Sequence, residues 1–364
     1  MGVVEVGEFF DHGVLRRNVK IVYGGREDLF FESAVSPGFA DAHAHPQVVD
    51  VGGPGLWRHS YEWLENRRLR VDEAGIRRDR ELSSMLAMAA ILSSLVDGAT
   101  LVALTGSLEG NVAALLALPV APRVVLLPTV MESDGWSTPE HVYAEYVRNL
   151  SRWDGYFNMG FFVHSLRKAG KSYLLASYKT ATKLGVPFAL HLSEGVDESR
   201  ALVEVLGEAP RNVIAVHCIE GAENCKQLGL RVVHCPTSNL YLYGRTLKGL
   251  EFFDSLGSDW PLVTGSILAA YRDAVRVHGP SLELLRKATS GGYRVFGMNG
   301  VGDIVAFDEG LDKVIRGEAR PKAVIVSGQL VVGEGAIPRM GIGRRDIEKL
   351  KEEAVRLAFE RYGV

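Results

Sequence analysis

The chain has 364 residues, 47% of them hydrophobic, and a formal net charge of −3. That length allows one large domain, or a large one and a small one. The charge balance offers no basic stripe for nucleic acid, and no apolar run approaches the ~18 residues needed to cross a bilayer, so neither is expected as a partner.

In chain order, residues 1–36 read as short strands and turns: VVEVGEFF, VKIVYGG and LFFESAV. The start, MGVVEVGEFFDHG, lacks the cationic and apolar regions of a secretory leader. The cysteines Cys218, Cys225 and Cys235 form neither a C-x-x-C motif nor an even disulfide framework. A reducing, cytoplasmic setting is therefore expected. Residues 299–342 resemble the start in character, with GDIVAFDEG and KAVIVSGQLVV. Both ends together are expected to form a small β-sandwich-like domain.

Between them, residues 37–298 alternate apolar runs with amphipathic helical stretches. The runs are AVSPGFADAH, ATLVAL, RVVLLPTV, MGFFVHS, VPFALHL, NVIAVHC, RVVHCP and DSLGSDW. Helical periodicity covers 79–97, 138–151, 169–184, 197–207 and 265–278. Eight such runs predict an α/β fold, a (β/α)8 TIM barrel. Continuous apolar runs fit strands covered by helices. The seventh crossover, TLKGLEFF, leaves room for barely two turns. Residues 343–364 predict an amphipathic C-terminal helix, suited to packing as a cap or to contact between copies.

Polar residues gather at the C-terminal ends of the runs. In "PGFADAHAHP", residues 37–46, His43 and His45 alternate with alanine, so both project from one face of a strand. The fourth run ends in His164 and the fifth in His191, with Glu194 three residues on. The sixth, seventh and eighth end in His217, His234 and Asp259. In a barrel those ends share one rim, where active sites are built. Alone, each admits a plain structural role, to which His234 leans; Asp259 in "GSDWP" also suits a turn. Together, six histidines and an acid at one rim point to a divalent metal. His12, His59, His141 and His278 fall outside the pattern.

With these residues in place, the chain resembles the amidohydrolase superfamily. The resemblance rests on "PGFADAHAHP", "HLSE" at 191–194, "VHC" at 216–218, "CPTSNL" at 235–240 and "GSD" at 257–259. "CPTSNL" points to the branch of cytosine, guanine and adenosine-analogue deaminases and triazine chlorohydrolases. The resemblance implies that His43, His45, His191 and Asp259 bind one divalent ion, zinc first and iron second. It implies that Glu194 shuttles a proton, that His217 touches the attacking water or the substrate, and that His164 contacts substrate. Dinuclear members carry a bridging lysine or glutamate on strand four; NMGFFVHS has neither.

These roles are chemically coherent. A metal-activated water attacks an sp² carbon that bears an amino group, Asp259 and His217 accept its proton, and Glu194 protonates the adjacent ring nitrogen. Catalytic duties therefore fall to Glu194, His217 and Asp259. The loop 46–75 is rich in Trp, Arg and Glu. There Trp57 can stack on a planar ring and Arg58 or Glu62 can read its edge, although a solvated helix with Trp57 and Trp63 turned inward fits equally. The expected activity is hydrolytic deamination of a small aminated heterocycle by a homodimer, the common default assembly. Chlorohydrolase-type displacement, cyclic-amide hydrolysis and an inactive binding scaffold stay open as alternatives.

Overall fold

The computed structural model describes residues 2–11, 14–23, 29–149 and 156–364; His12 lies outside them. Strands β1 (Gly2–Asp11), β2 (Val14–Tyr23) and β3 (Leu29–Pro37) open the chain. β1 and β2 pair antiparallel, and β3 runs parallel to β1.

The barrel follows. Its strands are β4 (Phe39–Ala44), β5 (Ala99–Leu104), β6 (Arg123–Leu126) with β7 (Thr129–Val130), and β8 (Phe157–Met159) with β9 (Phe161–Val163). Then come β10 (Phe188–Leu192), β11 (Val213–His217), β12 (Arg231–His234) and β13 (Ser255–Leu256). Every pairing among them is parallel. The third run breaks at Leu127-Pro128, where proline supplies no N–H to the ladder. The fourth breaks at Gly160, whose added Cβ would stand 2.3 Å from the Pro187 carbonyl oxygen. The first and eighth strands meet at a parallel bridge between Ala44 and Asp259. All eight expected runs are present as barrel strands, in the expected order.

Helices between them bury their apolar stripes against the strands, for example Arg80–Val96, Lys171–Leu184 and Ile267–His278. The stretch expected at 138–151 is a helix over Pro139–Arg148, with residues 150 and 151 outside the described set. The seventh crossover is short: the helix Pro236–Tyr243 and one 3-10 turn, Leu250–Phe252. "CPTSNL" thus opens a two-turn helix, which its weak periodicity did not announce.

Strands β14 (Ile304–Phe307), β15 (Pro321–Val326), β16 (Gln329–Gly333), β17 (Ala336–Ile337) and β18 (Ile342–Gly343) return to the N-terminal strands. The sandwich-like unit drawn from both ends is one continuous eight-stranded sheet, ordered β18-β17-β16-β15-β14-β3-β1-β2. Its alternating side chains supply both faces. Val305, Phe307 and Val324 join the main core, while Ile304, Ala306 and Ile325 pack with Val4 and Val6.

The C-terminal helix spans Arg344–Tyr362 and lays Ala354 and Ala358 against Leu82 and Leu86 of helix Arg80–Val96. Its end continues as a strap. Asp72 N–H donates to the Tyr362 carbonyl at 2.7 Å, and Val364 N–H donates to the Arg70 carbonyl at 2.9 Å. Arg361 pairs with Asp79 at 3.0 Å. No helix among the described residues is long and apolar enough to cross a membrane.

Candidate active site

The C-terminal ends of the barrel strands surround a cavity of about 400 Å³. His43 and His45, two residues apart on and just beyond β4, turn their rings to the same side. His191 on β10 stands between them, its Nε2 3.2 Å from Nε2 of each. Asp259 Oδ1 lies 3.4 Å from His43 Nε2 and 3.7 Å from His45 Nε2. Each of these four residues offers one donor atom, and the donors all lie within 4.8 Å of one another. The Phe162 ring, 5.1 Å from His43 and 4.8 Å from His191, forms an apolar floor.

Local sequence sets this convergence. Gly257 lets the eighth strand approach the first: a Cβ there would lie 2.8 Å from His43 Cβ. Asp259 then takes a left-handed backbone, φ 62°. Its N–H donates to the His43 carbonyl at 2.9 Å, and its own carbonyl accepts from His45 N–H at 2.6 Å. Asp41, one strand residue pair below, accepts from Ser258 N–H and Oγ at 2.9 and 2.6 Å and holds that turn. Burial pushes the Asp41 carboxyl up to about 7.

Electrostatics favour neutral rings and an ionised acid. Burial lowers the pKa of His43, His45 and His191, and for His45 and His191 the neighbouring His43 lowers it further. Burial alone would raise Asp259. Its hydrogen bond with His43, and then its electrostatic interaction with the His217, His43 and His45 rings, outweigh that, so it lies below the ordinary carboxylate range. Among the described residues, buried Asp259 Oδ2 and His43 Nδ1 have no hydrogen-bond partner. These features fit a divalent ion. Two nitrogens, each about 2.0–2.1 Å from a tetrahedral zinc, stand about 3.3 Å apart, close to the spacing here. A cation also resolves facing lone pairs beside an unpartnered carboxylate oxygen.

His217 and Glu194 stand beside this group. Asn239 Oδ1 lies 2.8 Å from His217 Nδ1. The Asn239 amide group donates to Thr246 Oγ1 at 3.1 Å, which fixes its orientation. His217 Nδ1 therefore donates, and Nε2 turns its lone pair inward. That Nε2 lies 3.7 Å from Glu194 Oε1 and 4.0 Å from Asp259 Oδ2. Tyr243 donates its hydroxyl to Glu194 Oε1 at 2.6 Å. Burial raises the Glu194 pKa, against the opposing pull of His217 and Tyr243. Asn239 sits within the quoted "CPTSNL" motif without an assigned task, and neither Tyr243 nor Asp41 bore any local signal.

His164 lines the cavity too. Burial, then the charges of Arg67 and Arg77, push its pKa down to about 3. His234 does not join: on β12 its neighbours Val233 and Cys235 pack into the barrel interior, so alternation turns His234 outward. There it meets Phe253, and His278 Nε2 at 3.5 Å. The histidines assigned to this rim are therefore five, not six.

Trp57 and Arg58 do not line the cavity. Trp57 packs beside Val51, Trp63 and Leu242, and Arg58 points to solvent, paired with Glu62 at 3.2 Å. The reason is local: His59 caps the helix Ser60–Asn66 through its Nδ1, which swings the preceding residues outward. The same segment supplies Arg67 and Glu73 to the wall instead, and Arg77 and Trp136 join them from beyond it. Glu73 takes Arg67 at 2.7 Å and Arg77 at 3.7 Å, and the Arg77 guanidinium stacks on Trp136, 3.6 Å from the ring centroid. Arg67, Glu73, Arg77 and Trp136 all line the cavity. The Glu73–Arg77 spacing of four residues was the available signal.

Known proteins place this geometry in context. The chain is 27% identical to 5-methylthioadenosine/S-adenosylhomocysteine deaminase 1 of Syntrophus aciditrophicus, over 74% of this chain and 68% of that protein. Its fold superposes on a zinc-bound adenosine deaminase from Xanthomonas campestris with a TM-score of 0.77 at 18% identity, covering 99% of this chain and 98% of that one. It superposes equally, TM-score 0.77 at 15% identity, on a zinc-complexed atrazine chlorohydrolase from Arthrobacter aurescens, covering 98% and 100%. At those identities the likeness is one of fold. The sequence matches the amidohydrolase family over residues 34–331, most of its length, and the chain belongs to that family.

Proposed function

We propose that the chain is a metal-dependent hydrolytic deaminase of an aminated heterocycle, with one divalent ion, zinc before iron, held by His43, His45, His191 and Asp259. The observation that carries this is the convergence of three imidazole nitrogens and one carboxylate oxygen, with Glu194 and His217 directly beside them. Three nitrogens and an oxygen suit zinc or ferrous iron. The chemistry such an ion supplies is a water acidic enough to act as a nucleophile near neutral pH.

The chain's own groups do the rest. Asp259 Oδ2 and His217 Nε2, 4.0 Å apart, both face the reaction space, where one of them takes a proton from the attacking water and returns it to the departing amino group. Glu194, which burial shifts toward its protonated form, gives a proton to the ring nitrogen beside the attacked carbon. Water adds to that carbon, the C–N bond breaks and ammonia leaves, and the ring retains a carbonyl oxygen. His164 and the Arg67–Glu73–Arg77 wall bound the substrate. The curated relatives named as deaminases support this chemistry.

The test is ammonia release by protein stripped with chelator, then reloaded with zinc or iron(II). Adenosine, methylthioadenosine, S-adenosylhomocysteine, guanine, cytosine and a chlorotriazine form the panel. Metal-dependent ammonia from at least one aminopurine is expected. Chloride without ammonia, or the opening of a cyclic amide alone, would replace the proposal with one of the other hydrolases. A variant probes the support of His217. Asn239→Ala should lower kcat about 10- to 100-fold with metal content unchanged; an unaltered kcat in steady-state assays would remove His217 from the reaction.

A further inference from the structure

On the rim opposite the histidines, where the strands begin, a second hollow of about 250 Å³ opens. Arg231 enters it from the start of β12, and Asp254 from the residue before β13. Arg286, Lys287 and Arg294 come from the segment after the last crossover helix. Four cations thus face one acid, and that acid is already engaged. Lys226 donates to its two oxygens at 2.9 and 3.0 Å, and Val232 N–H to one of them at 2.8 Å.

The cations are only partly satisfied. Lys287 is buried, gives a hydrogen bond to the Phe253 carbonyl at 2.6 Å and lies 3.6 Å from Glu283. Arg231 uses one Nη on the Val295 carbonyl. Among the described residues, Arg286 and Arg294 donate no side-chain hydrogen bond and form no ion pair. Arg286 is half-buried and Arg294 is exposed at the mouth of the hollow, where partial desolvation and then the Arg286 charge lower the Arg294 pKa against the pull of Asp254, so the two guanidiniums repel each other. Like charges in a concavity raise the local potential and destabilise the compact chain. In this fold the strand-start rim ordinarily serves stability, so packing alone gives no reason to gather them.

We propose that this hollow binds a phosphate-bearing small molecule, whose oxygens are received by Arg231, Arg286 and Arg294. Guanidinium forks match phosphate oxygens in pairs, and the excess of charge calls for a multiply charged anion where one carboxylate would leave most of it unmet. A neighbouring hollow of about 410 Å³ shares Arg294 and is walled by Pro37, Tyr293, Met298 and Asn299. It offers room for a nucleoside attached to the phosphates. The proposal is independent of the chemistry on the opposite rim.

Titration calorimetry at constant ionic strength tests it, with pyrophosphate, ADP and adenosine as probes of the metal-loaded protein. Saturable pyrophosphate binding is expected, weakened about 100-fold in Arg286→Ala/Arg294→Ala, or about tenfold for each guanidinium lost. The charge-conserving Arg286→Lys/Arg294→Lys should fall between, because lysine keeps the charge and loses the fork. Tighter binding of ADP than of pyrophosphate assigns the second hollow to a nucleoside; equal binding assigns the ligand to inorganic oligophosphate. The alanine pair should melt no lower than the parent, since it relieves repulsion. Absence of saturable binding by both phosphates, or binding that survives unchanged in the alanine pair, overturns the proposal.

Discussion

Asp259→Asn should lower kcat/KM by about 10³-fold or more and strip most of the metal, while the fold stays intact. The two effects share one cause. The carboxylate is the only anion among the four donors, and its charge is stabilised by His43, His217 and His45 despite full burial. The amide is isosteric but neutral, and its NH2 group would face imidazole nitrogens or the unpartnered space at Oδ2. It can neither neutralise a cation nor take a proton from water. The strand end does not depend on the side chain, because its backbone N–H and carbonyl already bond His43 and His45. Circular dichroism and melting temperature should therefore stay close to the parent, with elemental analysis reporting the metal. Near-normal activity would remove Asp259 from both of its proposed roles.

Glu194→Gln should separate binding from turnover. Glutamine keeps the shape and can still accept the Tyr243 hydroxyl that now bonds Glu194 Oε1 at 2.6 Å. Glu194 is not among the four clustered donors, so metal content should hold at the parental level. What is lost is a transferable proton next to the reacting ring, for which general acid–base catalysis contributes about 10²- to 10⁴-fold. The expected result is a loss of kcat in that range with substrate binding largely retained. A matching loss of metal would make Glu194 a ligand and sink its proton-shuttle role.

The barrel was legible because its signals are periodic and local. Apolar runs of strand length recur eight times, helical stripes fall between them, and six of the runs end in polar residues at one rim. His43, His45, His191 and Asp259 come together in the structure as that pattern predicts. His234 shows the limit of the argument. It too stands at a strand end, but the period of two along β12 turns it outward, and a run of only four residues does not reveal its parity. The wall shows a different limit. Loop 46–75 was the right segment, yet the residues facing the cavity depend on where the helix Ser60–Asn66 begins, and a histidine cap is a weak sequence signal. Asn239, Tyr243 and Asp41 reach the site through His217, Glu194 and Ser258, each more than twenty residues away in sequence, and no local pattern marks that role.

The strap at the end of helix Arg344–Tyr362 has a consequence for the order of synthesis. Arg67, Glu73 and Arg77 leave the ribosome early, well before Asp259 completes the donor cluster. The segment that carries them is pinned at Arg70, Asp72 and Asp79 by Tyr362, Val364 and Arg361, which are made after Asp259. A nascent chain folds progressively as it emerges, so the donor cluster can assemble while one wall of the cavity is still unmoored. The wall of Arg67, Glu73 and Arg77 is in this sense fixed only after the donors it stands beside.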